Sequence, residues 1–376
     1  MFEFSLVSSP QIINSREFRD QWGSLLSSSN NLDLLYQSPN WFDHLSFINS
    51  DKKLSAEVYK DDSDQILGIV PILIGQYWLR FDISAQALWK TPLNTAYILG
   101  SQPLVPHHEN IYDMLFASIW EDFPDCDCVY IDSLPTDSFL WNYLKKVGTE
   151  RKNYLLYIPD GVRPYHSLLL PPTFDEYLSN FKRKKRYNLE RQVKMLRDYG
   201  DGKLDMIRVD SEDRIQDFLE GAVSISQNSW QQTRIGTRID NSPQRHAKLA
   251  DLAERGLLRS YLLICGEKPC AFILGYQFRD VYHYVEIAYD QSFTKFSPGT
   301  VLLYLLIEDL IRHNAPQKVN FGVGHASYKQ EFGNIHNEDA SVLLLRKTIA
   351  NRIRMISHSS FRSLIHAVKK RIKAKD

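Results

Sequence analysis

The sequence predicts an α/β (α+β) chain with two similar halves, each built on a mixed, mostly antiparallel central sheet flanked by helices. Two observations support this class. In both halves, short β-rich segments follow one another closely and are framed by amphipathic helical segments in the same order. At 376 residues the chain also exceeds the length over which one hydrophobic core usually keeps growing. Two domains are therefore expected.

In the first half, two helices precede a strand hairpin. Apolar residues recur at helical spacing over 15–26, and a second helix begins after Ser38-Pro39. Segments 54–60 and 66–74 flank four turn-forming residues and predict paired strands, with Pro71 expected at an edge or a bulge. The remaining elements of this half are a helix, a strand and a helix, at 110–120, 128–132 and 137–146.

The second half repeats this order of elements. A helix at 243–255 precedes three closely spaced strands, which predict an antiparallel meander. An apolar helix, a short strand, a glycine-containing loop and a last strand follow. The meander strands, this helix and the two later strands lie at 259–265, 270–278, 281–288, 298–313, 318–321 and 341–345. We predict an N-terminal domain of 1–162, a C-terminal domain of 163–348 and a tail of 349–376.

Composition argues against several classes of protein. Lys plus Arg and Asp plus Glu both number 45, so the formal net charge implies no attraction of the whole chain to nucleic acid or anionic lipid. The four cysteines lack zinc-site spacing, and we expect no metal. The sequence shows neither a signal peptide nor about 18 consecutive apolar residues. We therefore expect a cytoplasmic protein.

The sharpest local signal is segment 289–300, between a strand and the apolar helix. Ser297 is a suitable N-cap, Pro298 suits the first helical position, and Gly299 permits close approach of a ligand. The first N–H groups of this helix should point outward, where the helix dipole favours an anion such as the pyrophosphate of coenzyme A. An ordinary Ser-Pro helix cap would leave the same pattern. The predicted donor-binding residues here are Ser297, Gly299, Thr300 and Val301.

A second constellation, 320–333, follows the short strand, and its glycines imply a tight turn. Together with it, a series of motifs runs along the chain: Gln37-Ser38-Pro39-Asn40-Trp41, Ile69-Val70-Pro71, Ser229-Trp230, Ala288-Tyr289-Asp290, Ser297-Pro298-Gly299 and the Gly-x-Gly-x-x-x-Tyr-Lys of 322–329. In this order the motifs resemble the GNAT-like acyltransferases of the CelD type, associated with cellulose and exopolysaccharide biosynthesis. That family is related in architecture to Fem-type aminoacyl transferases, and the resemblance spans most of the chain.

The resemblance implies two tandem GNAT-like domains, the first of them degenerate. It implies an N- or O-acyltransferase that moves an acyl group, expected to be acetyl, from acyl-CoA (acetyl-CoA) to a sugar or another small-molecule precursor of the cell envelope or a polysaccharide. It also implies that Tyr328 protonates the leaving thiolate, and packing is the alternative role of this residue. We further expect Tyr289 and Asp290 to bind substrate. Two alternatives remain open: a Fem-type aminoacyltransferase that uses charged tRNA, and a non-catalytic GNAT-like module in polysaccharide assembly.

Acyl transfer to an amine also requires a base. Alternation along strand 281–288 places Tyr282, Tyr284 and Glu286 on one face, so Glu286 is the first candidate. His325 is the second, because its reference pKa is near neutral. A hydrogen-bonded structural role for Glu286 and a solvated His325 are the alternatives.

Three further residues are candidates for binding substrates. Lys329 could hold a donor phosphate or an acceptor carboxylate, and Trp230 with Arg234 could form a platform for a sugar. Core packing or surface solvation would explain the same residues.

Two segments are strongly basic. The helix that begins at 182–186 continues with further cations, which predicts a solvated face or a site for a phosphorylated acceptor or a tRNA backbone. From Arg346 onward ten residues are Lys or Arg against the single acidic Asp376, interleaved with apolar residues at helical spacing. This tail predicts a basic amphipathic helix, either solvated or in peripheral contact with an anionic membrane surface.

Overall fold

The computed structural model describes residues 3–49, 53–83, 86–150, 154–229 and 239–373. Its contacts divide the chain into two compact units. Unit 1 comprises Met1–Pro164 with Asn337–Asp376, and unit 2 comprises Tyr165–His336. This division differs from the predicted second domain of 163–348 and the separate tail of 349–376, because the last strand of the chain pairs with strands of unit 1.

The strands, in chain order, are β1 (Glu3–Val7), β2 (Leu54–Lys60), β3 (Ile66–Ile83), β4 (Gln86–Ile98), β5 (Cys128–Pro135), β6 (Tyr154–Tyr157), β7 (Arg163–Leu169), β8 (Leu204–Val209), β9 (Ser260–Cys265), β10 (Lys268–Phe278), β11 (Val281–Tyr289), β12 (Lys318–Val323) and β13 (Ile335–Arg346). The helices are α1 (Pro10–Ile13), α2 (Arg16–Ser28), α3 (Pro39–Ile48), α4 (Glu109–Asp122), α5 (Phe139–Glu150), α6 (Phe174–Ser179), α7 (Arg183–Tyr199), α8 (Ile215–Gln227), α9 (Pro243–Glu254), α10 (Pro298–Arg312), α11 (Ser327–Phe332) and α12 (Ile349–Lys373). No helix within these described ranges is long and apolar enough to cross a membrane.

Unit 1 contains a sheet of order β1-β2-β3-β4-β5-β13, and β6 also pairs with β13. Among the described residues of this sheet, the β4–β5 pair is parallel and the β1–β2, β2–β3, β3–β4, β5–β13 and β6–β13 pairs are antiparallel. Apolar residues of α4 and α5, such as Phe116 and Leu144, are buried against this sheet. Burial of such a face is the main stabilising contribution to a sheet of this kind. Unit 1 therefore has the mixed, mostly antiparallel sheet that the sequence predicts.

Pro71 occupies an unexpected place in that sheet. It lies in β3, which pairs on both sides, and is opposite Ala56 of β2, so the predicted edge or bulge position is wrong. The Leu99 N–H donates to the Pro71 carbonyl at 3.0 Å, one residue past the end of β4. A residue's N–H and C=O point to the same side of a strand. The missing N–H therefore falls at the last position of the β3–β4 ladder, where the absence of one hydrogen bond destabilises the sheet little.

The Gln37–Trp41 motif has a structural explanation. The Ser38 hydroxyl caps α3 by accepting the Trp41 N–H at 3.1 Å, and the Trp22 indole donates to the Gln37 carbonyl at 2.9 Å. Gly100, at φ 81°, has no side chain where one would collide with Gln37. The motif therefore fixes the start of α3 against α2 and belongs to the architecture of unit 1.

Unit 2 contains a sheet of order β7-β12-β11-β10-β9-β8. Its only parallel pair among the described strands is β11–β12. Helices α6, α7 and α10 bury their apolar residues on one face, which we call the α10 face. Helix α8 packs on the other, the α8 face, where the Phe218 and Phe272 rings are 5.9 Å apart. Each unit thus contains an antiparallel meander followed by a helix and a parallel strand. The sequence predicts the meander of unit 2, but in unit 1 it predicts only the β2–β3 hairpin and misses β4.

Candidate functional site

Strands β11 and β12 begin as neighbours and then separate. Their pairing covers Val281–His283 and Lys318–Asn320, whereas the strands continue to Tyr289 and Val323. Within the described residues, neither strand pairs with the other beyond this point. The two strands therefore enclose a wedge-shaped opening in the sheet, bounded by 284–289 of β11 and 321–323 of β12. We call this opening the wedge.

A β-bulge lies on each side of the wedge. On β11, Val285 is skipped in the pairing with β10. On β12, Phe321 is skipped in the pairing with β7. A bulge adds a residue to one strand, bends it and increases its twist. Gly322 follows the β12 bulge at φ 69°, and its N–H donates to the Asn320 side chain at 2.7 Å. Glycine suits this left-handed position because it has no Cβ.

The bulge on β11 changes which face Glu286 occupies. Residues directly opposite in an antiparallel pair point to the same face, and here Tyr284 is opposite Gly275 whereas Glu286 is opposite Leu274. Since Gly275 and Leu274 are adjacent, they point to opposite faces. The predicted arrangement of Tyr282, Tyr284 and Glu286 on one face is therefore wrong. Glu286 lies on the α8 face, and Tyr284 lies on the α10 face.

Glu286 has polar neighbours on the α8 face. Burial raises the pKa of Tyr276 to about 12, Arg245 lowers it, and Glu286 raises it further. These three side chains are therefore close enough to interact electrostatically. A carboxylate in polar surroundings can accept a proton or orient a polar substrate. The position of Glu286 is therefore compatible with the base role predicted for it.

On the α10 face, Tyr284 and Tyr328 lie side by side with their ring centroids 6.1 Å apart. Burial raises the pKa of Tyr284 well above its usual range. Burial also raises the pKa of Tyr328, although its interaction with Tyr284 lowers it in part. A phenol in this state keeps its proton at neutral pH and can donate it, as the resemblance implies for Tyr328.

Lys329 ties the loop after β12 to the end of that strand. Its Nζ donates to the Val323 carbonyl at 2.8 Å, and burial lowers its pKa. His325, in the same loop, is exposed. Lys329 therefore holds the backbone at one side of the wedge, in addition to any contact it makes with a ligand.

A histidine pair was missed by the sequence reasoning. His166 of β7 is buried, with only 6% of its surface exposed, and its Nδ1 lies 2.9 Å from Nδ1 of His336. Burial lowers the pKa of His166, His336 and Lys329 lower it further, and a hydrogen bond to the Gly324 backbone raises it in part. His166 therefore supports the loop that leads into α11, the helix that carries Tyr328. Because the two histidines are 170 residues apart in the chain, no local pattern could reveal them.

The start of α10 differs from its prediction. Ser297 is at the N-cap position, but it is left-handed, with φ 54°, and its side chain caps no N–H. Its carbonyl instead accepts the N–H groups of Thr300 and Val301, at 2.9 and 3.1 Å. The expectation that both groups point outward as free donors is therefore wrong. Of the three N–H groups predicted to bind an anion, the remaining one is that of Gly299, the residue after Pro298.

The residues just before α10 have mixed roles. A Cβ added to Gly299 would lie 3.4 Å from the Tyr289 ring, so Tyr289 borders the start of the helix. Asp290 uses both carboxylate oxygens within the protein, accepting the Ser292 N–H at 2.8 Å and the Asn228 side-chain amide at 3.2 Å. These bonds give Asp290 a structural function beside the substrate-binding one predicted for it.

Two predicted substrate-binding residues, Trp230 and Arg234, lie outside the described residues. Within the described part of the chain, no group of three or more His, Cys, Asp or Glu side chains could hold a metal ion. All four cysteines are buried as free thiols.

Comparison with known proteins identifies the kind of domain that contains the wedge. The family model described as "Acetyltransferase (GNAT) domain" matches residues 183–330, which include the wedge. No curated protein matches the sequence. The chain therefore contains a GNAT-like acetyltransferase domain in unit 2.

Solved structures extend the similarity to the whole chain. The chain is similar to FemX, with TM-score 0.61 and 12% identity over 89% of this chain and 98% of that one. It is also similar to a tandem GNAT protein from the clavulanic acid biosynthesis pathway, with TM-score 0.54 and 12% identity over 92% and 98%. L-PGS from Bacillus licheniformis gives TM-score 0.50 and 13% identity over 93% and 96%. At these identities the likeness concerns the fold, which is the predicted tandem GNAT-like fold.

Proposed function

We propose that the chain is an acyltransferase that moves an acyl group from acyl-CoA to an amine or hydroxyl of a sugar or another cell-envelope or polysaccharide precursor. The wedge between β11 and β12 carries this proposal, since it lies inside the region that matches the GNAT domain. The CelD-type resemblance supports the class of acceptor, and acetyl is the acyl group we expect.

The two faces of the sheet divide the proposed chemistry. The start of α10 and Tyr328 lie on the α10 face, so the donor would enter there, with Gly299 near its pyrophosphate and its thioester in the wedge. Glu286 lies on the α8 face, so the acceptor would approach from that side. The nucleophile and the thioester would then reach the wedge from opposite faces of the sheet. Each would lie beside its own proton-transfer residue.

The proposed reaction is a direct transfer. Glu286 accepts the proton of the attacking amine or hydroxyl as the new bond to the acyl carbon forms. The carbon–sulfur bond then breaks, and Tyr328 donates its proton to the departing thiolate. His325, exposed in the loop after β12, is the alternative base. Lys329 supports the end of β12 and is available to a donor phosphate.

Thermal unfolding in the presence of acyl-CoAs tests the donor. A ligand at about 100 times its Kd should stabilise the protein by about 2.7 kcal/mol. We expect acetyl-CoA to raise the melting temperature and ADP at the same concentration to have a much smaller effect. If no acyl-CoA stabilises the protein well above millimolar concentration, the proposal fails and the non-catalytic module is favoured.

Substitutions at Gly299 sharpen this test. A Cβ fits there, at 3.4 Å from Tyr289 and 3.6 Å from Ile287, so Gly299→Ala should fold normally and bind the donor. The branched side chain of Gly299→Val should crowd both neighbours and cover the nearby N–H, lowering donor affinity about tenfold or more. Equal affinity in both variants would place the donor elsewhere.

A tRNA-dependent aminoacyltransferase is the second candidate. The observation in its favour is the first turn of α7, which carries Arg183, Lys184 and Arg186 and no acidic residue, whereas Lys185 pairs with Glu331. Cations at the positive end of a helix dipole are unfavourable unless an anion lies nearby. Gel-shift titration against salt separates the two candidates, because a protein that binds a tRNA backbone loses affinity steeply as salt rises.

A further inference from the structure

The outer face of α12 is apolar. Its opposite face packs on unit 1 through Asn351, Met355 and His358. The His358 Nε2–H donates to the Arg80 carbonyl at 3.0 Å. With 3.6 residues per turn, residues three, four and eight apart share one side of a helix. The exposed residues at these spacings, which we call the outer stripe, are Ile349, Ile353, Ile356, Leu364 and Val368.

The charge of α12 has one sign. The helix contains no Asp or Glu, and its cations are Arg352, Arg354, Arg362, Lys369, Lys370, Arg371 and Lys373. Of these, Arg352, Arg362, Lys370 and Arg371 are exposed in the part of the helix that the structure describes, and Arg362 lies 3.5 Å from Asp160. An apolar stripe bordered by cations is typical of helices that lie in the interface of an anionic bilayer.

The β3–β4 hairpin adds a second apolar surface to unit 1. Near its tip Ile83, Leu88 and Trp89 are exposed, and 67% of the Trp89 surface faces solvent. Trp89 pairs with Phe81, whose ring lies 5.4 Å from that of Phe361 in α12. The hairpin tip and the second half of α12 therefore lie at the same end of unit 1. Tryptophan favours the boundary between lipid and water, where its ring is buried and its N–H stays polar.

We propose that the outer stripe and the hairpin tip dock unit 1 on an anionic phospholipid surface. Two other partners fit less well. A second copy of the chain would bring two helices with cations and no acids together, which repel. A nucleic acid would contact the cations but leave the apolar stripe in water. The proposal is independent of the proposed acyl transfer, because its residues lie outside unit 2.

Vesicle sedimentation of the full chain tests the apolar contribution. Vesicles of phosphatidylcholine mixed with phosphatidylglycerol should bind the protein, and phosphatidylcholine alone should bind it much more weakly. Replacing Ile353, Ile356 and Leu364 together by Ser should weaken binding at least about tenfold, since three buried apolar side chains are lost. The control Ile12→Ser with Phe47→Ser changes exposed residues of α1 and α3 and should bind like the wild type.

A second set of variants tests the charges. Replacing Arg352, Lys370 and Arg371 by Gln should weaken binding about fivefold per charge at low salt. The matched control replaces Lys182, Arg183 and Lys184 by Gln on α7 and should leave vesicle binding unchanged. The proposal is overturned if the α7 variant alone loses binding, or if both vesicle types bind equally. It is also overturned if the outer-stripe variant instead abolishes a dimer seen by analytical ultracentrifugation.

Discussion

Nδ1 of the buried His166 and Nδ1 of the exposed His336 lie 2.9 Å apart in unit 2. A hydrogen bond between them requires one nitrogen to accept, so the contact cannot persist when both rings are doubly protonated. Lys329 and His325 lie nearby, and both lower the pKa of His166. The pair is therefore stable only while at least one ring is neutral.

The first prediction concerns the pH dependence of stability. The folded pKa of His166 lies below the unfolded value of 6.5. In the window between these values the unfolded chain binds more protons, so the contribution of this group is fully present above pH 6.5 and is lost as pH falls through the window. We expect His166→Gln to flatten this part of the pH profile of the free energy of unfolding, measured with urea. An unchanged profile would contradict the role assigned to the pair.

The second prediction concerns the base. Glu286→Gln removes the proton acceptor but keeps the shape of the side chain, so it should lower kcat by about 10²- to 10⁴-fold while acyl-CoA still raises the melting temperature. The same substitution should also shift the acidic limb of the kcat/KM pH profile. His325→Asn is the comparison. If His325→Asn shows the larger loss and Glu286→Gln retains full activity, His325 is the base.

The third prediction concerns the leaving group. Tyr328→Phe removes the proposed proton donor and should lower kcat while preserving donor binding. Tyr284→Phe removes the hydroxyl of the neighbouring ring, to which the proposed reaction gives no role, and should have a smaller effect. Stopped-flow measurement of CoA release compares the two. Equal rates in Tyr328→Phe and the wild type would exclude this residue as the donor.

The difference between sequence and structure is greatest at the wedge. The sequence predicts the meander, α10 and β12, because hydrophobic periodicity and turn residues are local signals. It places Glu286 on the wrong face, because one bulged residue, Val285, reverses the alternation and leaves no mark in composition. Ser297 is similar: its residue type suggests a side-chain cap, whereas its left-handed backbone prevents that geometry. Contacts between distant residues, such as those of His166, require the fold.

The fourth prediction concerns Glu57, a carboxyl group buried in β2 of unit 1. Burial raises its pKa from 4.5 to about 8, a hydrogen bond from Ser118 lowers it in part, and Asp122 raises it. Between these values the folded protein holds a proton that the unfolded chain has lost, so stability falls as pH rises from 4.5 to 8.

Glu57→Gln keeps the neutral shape at every pH and should remove this loss. The free energy of unfolding of the variant should exceed that of the wild type by about 1–3 kcal/mol above pH 8, and the difference should shrink towards pH 5. Glu3→Gln, at an exposed position of the neighbouring β1, serves as the control and should show no such trend. A constant difference between Glu57→Gln and the wild type would mean that Glu57 is ionised in the folded state.

The fifth prediction joins stability to the wedge. Gly275 lies opposite Tyr284 at the β11 bulge, and a Cβ added there would come within 2.0 Å of the Tyr282 hydroxyl and 2.9 Å of the Arg259 carbonyl. Tyr282 is fully buried, so its ring has no room to move away. Gly275→Ala should therefore lower the free energy of unfolding by about 3 kcal/mol, and donor affinity should fall with it because the bulge is displaced.

A matched glycine separates this effect from a general one. Gly23, in α2, has no atom within 4 Å of an added Cβ, so Gly23→Ala should raise the free energy of unfolding by about 0.5–1 kcal/mol. The double variant Gly275→Ala with Tyr282→Phe removes the closest atom, the hydroxyl, but leaves ring carbon Cζ at 2.4 Å, so it should recover only part of the loss. Full stability of Gly275→Ala would show that the strand pair at the bulge can shift, and the wedge would then be adaptable in width.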